Sequence, residues 1–239
     1  MKFYRRLLPV KALSFDLDDT LYSNREHMVA ADAAMNQYFN EVLTAHGLPA
    51  QDYSAKFWWP YRQEVVKITP EIKHDVTQAR FVIYRHALCQ LGLDESLASE
   101  LAKQALNYFL QQRSSFHVGE QVQEFLAKLT TKFPLVAITN GNVDVERVGL
   151  SPYFQHVFMA GNGNLQKPDG DMFRQACQAL EITPSQLLHV GDCGRADIFG
   201  AIRAGCQSVW LNQYDVGKPI KVLPNIEISN IEQLLRLPH

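Results

Sequence analysis

Apolar residues gather in this chain in two textures. Short, nearly continuous runs at 12–15, 135–138, 157–159, 187–190 and 208–211 each end in polar or glycine-containing clusters. Such runs read as strands buried on both faces of a parallel sheet. Between them lie stretches with helical spacing. In 119–129 the apolar residues are Val122, Phe125, Leu126 and Leu129, an i, i+3, i+4, i+7 set. Residues 171–180 and 196–204 also fit helices, the latter stopped by Gly205. Strand–helix–strand alternation at this spacing predicts right-handed βαβ units and a doubly wound, Rossmann-like α/β core.

One segment breaks the alternation. More than a hundred residues separate the first strand from Leu135, and none of them reads as a strand. Helical runs occupy 27–46, 55–66, 72–91 and 95–112, with Gly47 and Gly92 as stops and Pro70 as a start. The pattern predicts an all-α subdomain at 22–115, inserted after the first strand into a core of 1–21 and 116–239. Internal repeats and low-complexity segments are absent.

Composition narrows the function classes. Of 239 residues 46% are apolar, so the chain can bury a large core and a disordered class is excluded. Lys plus Arg is 23 and Asp plus Glu is 25, a formal charge of −2. A nucleic-acid binder normally carries a basic excess, which this balance lacks. No run reaches the ~20 apolar residues of a membrane helix, and Pro9 and Lys11 interrupt the N-terminal run before a signal sequence can form. Cys89, Cys177, Cys193 and Cys206 form no C-x-x-C pair and are expected to be reduced. The expectation is a soluble cytoplasmic protein, monomer or small dimer, with neither nucleic acid nor membrane as partner.

The chemistry concentrates at strand ends. Asp16, Asp18 and Asp19 follow the first run, and three carboxylates in four residues repel one another unless a cation offsets them. In an extended segment Asp16 and Asp18 point to one side, outside the carboxyl end of a strand, where α/β sites form. Two such carboxylates suit Mg²⁺, and one can attack phosphorus. Asp19 and Thr20 can instead serve as a turn or helix cap. Thr139, Asn140 and Gly141 end another run and offer uncharged donors for phosphate oxygens, or an ordinary Asn-Gly turn. Lys167 precedes Pro168 in a short loop, where the plain alternative is a solvated charge. Gly191 and Asp192 end a further run, and Asp197 follows five residues later near a helix start, a place that the helix dipole alone favours for an acid.

The run Asp16-Leu17-Asp18-Asp19-Thr20, then Thr139, Lys167-Pro168 and Gly191-Asp192 with Asp197, resembles in order the four motifs of the haloacid dehalogenase-like (HAD) superfamily. The resemblance spans residues 16 to 197, and the helical insertion is similar to the type-1 cap of that family. It implies hydrolysis of a phosphate monoester. Asp16 would be the nucleophile, forming an aspartyl-phosphate, and Asp18 the general acid and base. Thr139, Asn140 and Lys167 would hold the phosphoryl group. Asp16, Asp18 (through its carbonyl) and Asp192 would bind Mg²⁺, and Asp197 would support them. Many relatives carry a second Asp where this chain has Cys193. Asp18 argues against the dehalogenase branch, which lacks that acid. A phospho-accepting receiver domain combines similar residues but is usually about half as long and has no cap, and a catalytically idle phosphate-binding protein would not need all four charged residues.

Cap residues should select the leaving group. Trp58, Trp59, Tyr61 and Arg62 form one candidate group, although neighbouring helical tryptophans point in different directions and one should be packing. His74, Asp75, Gln78 and Arg80 form another, with a solvated helix face as the plain alternative. The stretches Phe15–Tyr22, Pro70–Arg80 and Ile138–Asn142 look like bacterial HAD phosphatases of the flavin pathway. That resemblance implies FMN or 5-amino-6-(5-phospho-D-ribitylamino)uracil as substrate, with sugar phosphates or nucleotides as alternatives.

Overall fold

Each of the five apolar runs forms a strand. In the computed structural model, which describes residues 1–213 and 222–238, they join two further strands in one seven-stranded sheet. The strands are β1 (Lys2–Phe3), β2 (Ala12–Phe15), β3 (Leu135–Thr139), β4 (His156–Met159), β5 (Leu187–Gly191), β6 (Gln207–Leu211) and β7 (Ile226–Ile228). The helices are α1 (Asn24–Ala45), α2 (Ala55–Ile68), α3 (Val76–Gln90), α4 (Glu95–Arg113), α5 (Glu120–Thr130), α6 (Asp171–Ala179) and α7 (Gly200–Arg203).

The sheet runs β1-β7-β6-β5-β2-β3-β4. All neighbours are parallel except the antiparallel pair of β1 with β7. Every residue of β2, β3, β5 and β6 is buried, which is why their sequences are nearly unbroken in apolar character. Strands β1 and β7 lie outside the expected set because two and three residues are too few to carry a pattern. Helices cover both faces of the centre. Ala12, Val136 and Ile138 pack with Met172, Phe173 and Ala176 of α6. Phe15 meets Phe125 of α5 edge-on, with ring centroids 6.3 Å apart. On α5 Phe125, Leu126 and Leu129 are buried and Val122 is half-buried, as the spacing requires. The result is the expected α/β class with a mostly parallel sheet.

By contact density the chain forms two units, Met1–Asn24 with His117–Gly141 and Val145–His239, and Arg25–Phe116 with Asn142–Asp144. The second is all helical. Its core is built from Met35, Phe39 and Leu43 of α1, Trp58 of α2, Tyr84 and Leu88 of α3, and Leu101 and Phe109 of α4. The helix expected over 72–91 is split. Pro70–His74 form a 3₁₀ turn, Asp75 stays extended, and its carboxylate accepts the N–H groups of Thr77 and Gln78 to start α3. Asp94 caps α4 in the same way through Ser96 and Leu97. Adjacent tryptophans diverge: Trp58 is buried and donates from Nε1 to the Tyr53 carbonyl, while Trp59 is 56% exposed. All four cysteines are free thiols, and no helix among the described residues is long and apolar enough to cross a membrane.

Phe125 fills the space between α5 and the centre of the sheet, so Phe125→Ala should leave a cavity and cost about 3–5 kcal/mol. Chemical denaturation followed by circular dichroism would show this as a lower midpoint.

Candidate active site

The order β5-β2-β3 places three parallel strand ends side by side. Asp16 extends β2 by one residue, donating its N–H to the Val190 carbonyl at 2.9 Å. Thr139 ends β3, and Asp192 follows β5. These residues line one pocket with Asp18, Asn140, Lys167 and Asp197, so every core residue singled out in the sequence is brought together. The position is the one that strand polarity favours in open α/β sheets.

Lys167 is almost fully buried at the centre. Its Nζ lies 2.6 Å from Asp16 Oδ1, from Asp197 Oδ1 and from the Ile138 carbonyl. An ammonium has three protons, and here each has an acceptor in the protein. Lys167 therefore supplies a fixed charge beside Asp16 rather than a free donor. Asn140 holds the loop that carries it: its Nδ2 donates to the Lys167 carbonyl at 2.9 Å, and its Oδ1 accepts the Lys167 N–H at 2.7 Å. The Asn140 side-chain amide is thus committed to the lysine loop, and what Asn140 offers an anion is its backbone N–H.

The four charges do not cancel. Three buried carboxylates, Asp16, Asp192 and Asp197, face one buried ammonium. Burial pushes the Asp16 carboxyl well above the usual range, with Lys167 pulling it back and Asp197 and Asp192 pushing further. Burial and then Asp197 push Asp192 up to about 7, although the Thr20 hydroxyl opposes this by donating to Asp192 Oδ1 at 3.1 Å. Asp197 goes the other way. Burial alone would raise it, but Lys167 and His189 hold it below the ordinary carboxylate range. Asp16 and Asp197 keep Lys167 firmly charged against its own burial. With all three acids ionised, two negative charges remain uncompensated, the deficit that a divalent cation fills. Single oxygens of the three carboxylates lie within 4.8 Å of one another. The oxygens of Asp197 already have protein donors, so Asp16 and Asp192 are the ones open to a metal.

Asp197 owes its place to an irregular turn. The expected helix over 196–204 is a π-helical turn, Gly194–Phe199, followed by the short α7. The N–H groups of Asp197 and Ile198 both reach the Cys193 carbonyl, which widens the turn, a distortion frequent at functional sites. Asp197 Oδ2 then accepts the Cys193 N–H at 2.9 Å, while Oδ1 serves Lys167 and His189. Cys193, where a second acid was expected, accepts the Ala196 N–H on its sulfur and so caps the turn. Gly191 makes the fit possible: a Cβ there would stand 2.3 Å from Asp197 Cγ.

Asp18 is half-buried, and its Oδ1 accepts the Tyr22 hydroxyl at 2.7 Å. A Cβ on Gly141 would lie 2.6 Å from Asp18 Oδ2, so a larger residue there would push the Asp18 carboxylate out of its present position. Thr139 Oγ1 accepts the Gly141 N–H, which leaves its own proton to donate. Asp19, at φ 55°, accepts the N–H of Asn24 at the start of α1, the capping role foreseen for it. Thr20 points to Asp192 instead.

Sequence reasoning missed three supports, Thr20, His189 and Trp210. His189 Nε2 lies 3.2 Å from Asp197 Oδ1 and Nδ1 lies 2.9 Å from Ser14 Oγ. Burial lowers its pKa, so it is a neutral spacer that orients Asp197. Trp210 Nε1 donates to the Asp192 carbonyl at 2.8 Å. One signal was available: Ser14 and His189 are the polar interruptions of two apolar runs, and they pair in register. Of the candidates in the helical unit, Asp75 is spent on its cap and Gln78 is exposed. His74 lies 3.7 Å from Glu71, and Arg80 stacks on Phe109.

The model of the haloacid dehalogenase-like hydrolase family matches residues 10–205. The chain is 36% identical to the 5-amino-6-(5-phospho-D-ribitylamino)uracil phosphatase YigB of Escherichia coli, over 99% of this chain and 100% of that one. It is 28% identical to the pyrimidine 5′-nucleotidase PynA of Streptococcus pneumoniae, covering 94% and 93%. Among solved structures, a 2-haloacid dehalogenase from Pseudomonas syringae pv. Tomato matches with a TM-score of 0.86 and 33% identity, over 94% of this chain and 96% of that one. The HAD-hydrolase YfnB of Bacillus subtilis, bound to magnesium, shares the fold at a TM-score of 0.65 and 23% identity, covering 95% and 97%. The two sequence relatives are phosphatases, and this chain retains the second acid, Asp18, after the first strand. With its family match and its phosphatase relatives, the chain belongs to the haloacid dehalogenase-like hydrolases and is a phosphatase among them.

Proposed function

We propose that this phosphatase works through an aspartyl-phosphate on Asp16, depends on Mg²⁺, and acts on a flavin-pathway phosphate such as 5-amino-6-(5-phospho-D-ribitylamino)uracil or FMN. The observation that carries the mechanism is the buried Lys167 bound to Asp16 and Asp197 at the carboxyl end of the central strands. Lys167 engages Oδ1 of Asp16 and leaves Oδ2 to attack phosphorus. The same charge pulls the Asp16 carboxyl back from the rise that burial imposes and so favours the ionised nucleophile. Thr139, whose hydroxyl proton is free, and the backbone N–H of Asn140 hold the phosphoryl oxygens as charge develops. Asp18, oriented by Tyr22, protonates the leaving oxygen and then takes the proton of the water that cleaves the acyl-phosphate. Asp16, Asp192 and the Asp18 carbonyl are the groups that would hold Mg²⁺. Bound there, the ion offsets repulsion between carboxylate and phosphate.

The substrate reading is supported by the full-length similarity to YigB. A nucleotide is the second reading, favoured by the similarity to PynA.

Three outcomes are expected. Asp16→Asn should lose on the order of 10³-fold or more in kcat on p-nitrophenyl phosphate, as removal of a covalent nucleophile does; Mg²⁺-dependent turnover close to the parent would remove Asp16 from that role. MgCl₂ should raise the melting temperature, and more at pH 8 than at pH 6. Below about pH 7 a proton on Asp192 must leave before the ion binds, which weakens binding by up to about tenfold per pH unit. Asp192→Asn should abolish that shift. Finally, kcat/KM for 5-amino-6-(5-phospho-D-ribitylamino)uracil and FMN should exceed the values for sugar phosphates and for pyrimidine nucleotides. A nucleotide at the head of that ranking would favour the second reading.

A further inference from the structure

One unassigned cavity lies wholly within the helical unit. A cavity of about 330 Å³ opens among α1, α2 and α3, within the size range of small-ligand sites. Its walls are rigid. Trp58 and Tyr84 meet edge-on at 4.9 Å, both pack against Phe39, and the Trp58 indole is pinned to the Tyr53 carbonyl. Met28, Met35 and Ile83 complete an apolar lining, and Trp59 stands half in solvent on its wall. The shape and the aromatic faces suit a flat ring.

Three charged side chains line this cavity, the exposed Arg62 and the half-buried Asp32 and Arg80, and the protein leaves both half-buried groups with unmet hydrogen-bonding capacity. Asp32 on α1 is half-buried and accepts no hydrogen bond from any described residue. Burial raises its pKa, and Arg80 is near enough to pull it back, yet no ion pair closes between them. The Arg80 guanidinium lies 3.4 Å from the Phe109 ring centroid and gives one hydrogen bond, to the Tyr84 hydroxyl at 3.0 Å. Most of its five N–H donors therefore remain for another acceptor. A buried carboxylate without a donor is costly, and proteins keep one when a ligand completes it.

We propose that this cavity binds a planar heteroaromatic ring whose edge carries both an N–H, given to Asp32, and a carbonyl, accepted from Arg80. An apolar or purely cationic ligand would leave one of the two groups unmatched. An imide-type edge, with N–H beside C=O, matches both. The site requires neither phosphate nor metal, so it stands apart from the phosphoryl chemistry proposed above.

Isothermal titration of the full-length protein in EDTA tests this with uridine, 3-methyluridine and ribose. Uridine should bind and ribose should not. Methylation of N3 removes the ring N–H and keeps the ring, so 3-methyluridine should bind at least tenfold more weakly. Asp32→Asn should weaken uridine by a similar factor. Ala55→Leu, at an exposed position on the cavity wall, should weaken it by filling space without touching either polar group. Equal affinity for uridine and its N3-methyl form, uridine affinity unchanged by both substitutions, or no binding of uridine at all would each overturn the proposal. The methyl comparison uses the parent protein and so decides even if a variant fails to fold. Turnover plays no part in these readings: uridine binding in a protein without phosphatase activity would leave the cavity site standing and remove only the mechanism.

Discussion

Everything at the strand ends depends on one arrangement, a lysine buried between two aspartates. An ammonium taken out of water is costly, and so is each carboxylate, unless the partners meet at hydrogen-bond distance and every proton is used. Lys167 meets this condition with Asp16, Asp197 and the Ile138 carbonyl, all at 2.6 Å. Much of the surrounding chain serves that geometry. Asn140 grips the lysine loop, His189 and the Cys193 N–H fix Asp197, the π-helical turn delivers it, and Gly191 leaves it room. The cluster is nevertheless incomplete in charge, because Asp192 adds a third carboxylate. That surplus argues for a cation more strongly than proximity alone, since exposed acids cluster without one, whereas these are buried.

The sequence made the central strands legible for a physical reason. Strands buried on both faces need apolar side chains at successive positions, and β2, β3, β5 and β6 show this directly. The residues that carry charge were legible because they recur in order after apolar runs, although each alone also has a plain structural alternative. What escaped depends on three-dimensional neighbours. Strands β1 and β7 exist because they pair with each other at the sheet edge, two and three residues at a time. The break at Asp75 and the π-helical turn both follow from where a carboxylate finds its donors, which helical periodicity does not encode. Asn140 was read as a phosphate ligand through backbone N–H groups, a reading that says nothing of what its side chain does. Only the distance to Lys167 shows where its hydrogen bonds go.

The two units answer different questions about the same enzyme. In the mechanism proposed above, Asp16, Asp18, Lys167 and Asp192 address phosphorus and its oxygens rather than the rest of the leaving group. Proteins similar to this chain carry different names, a ribitylaminouracil phosphatase and a pyrimidine nucleotidase by sequence and a 2-haloacid dehalogenase by structure. Each unit carries side chains whose needs the protein leaves unmet. In the core the unmet need is positive charge. In the helical unit it is a donor for Asp32 and an acceptor for Arg80 inside an apolar, aromatic cavity. A hydrogen-bonding site of that kind discriminates strongly, because a ligand lacking the matching edge leaves buried polar groups unpaired, whereas apolar contact alone separates ligands only weakly.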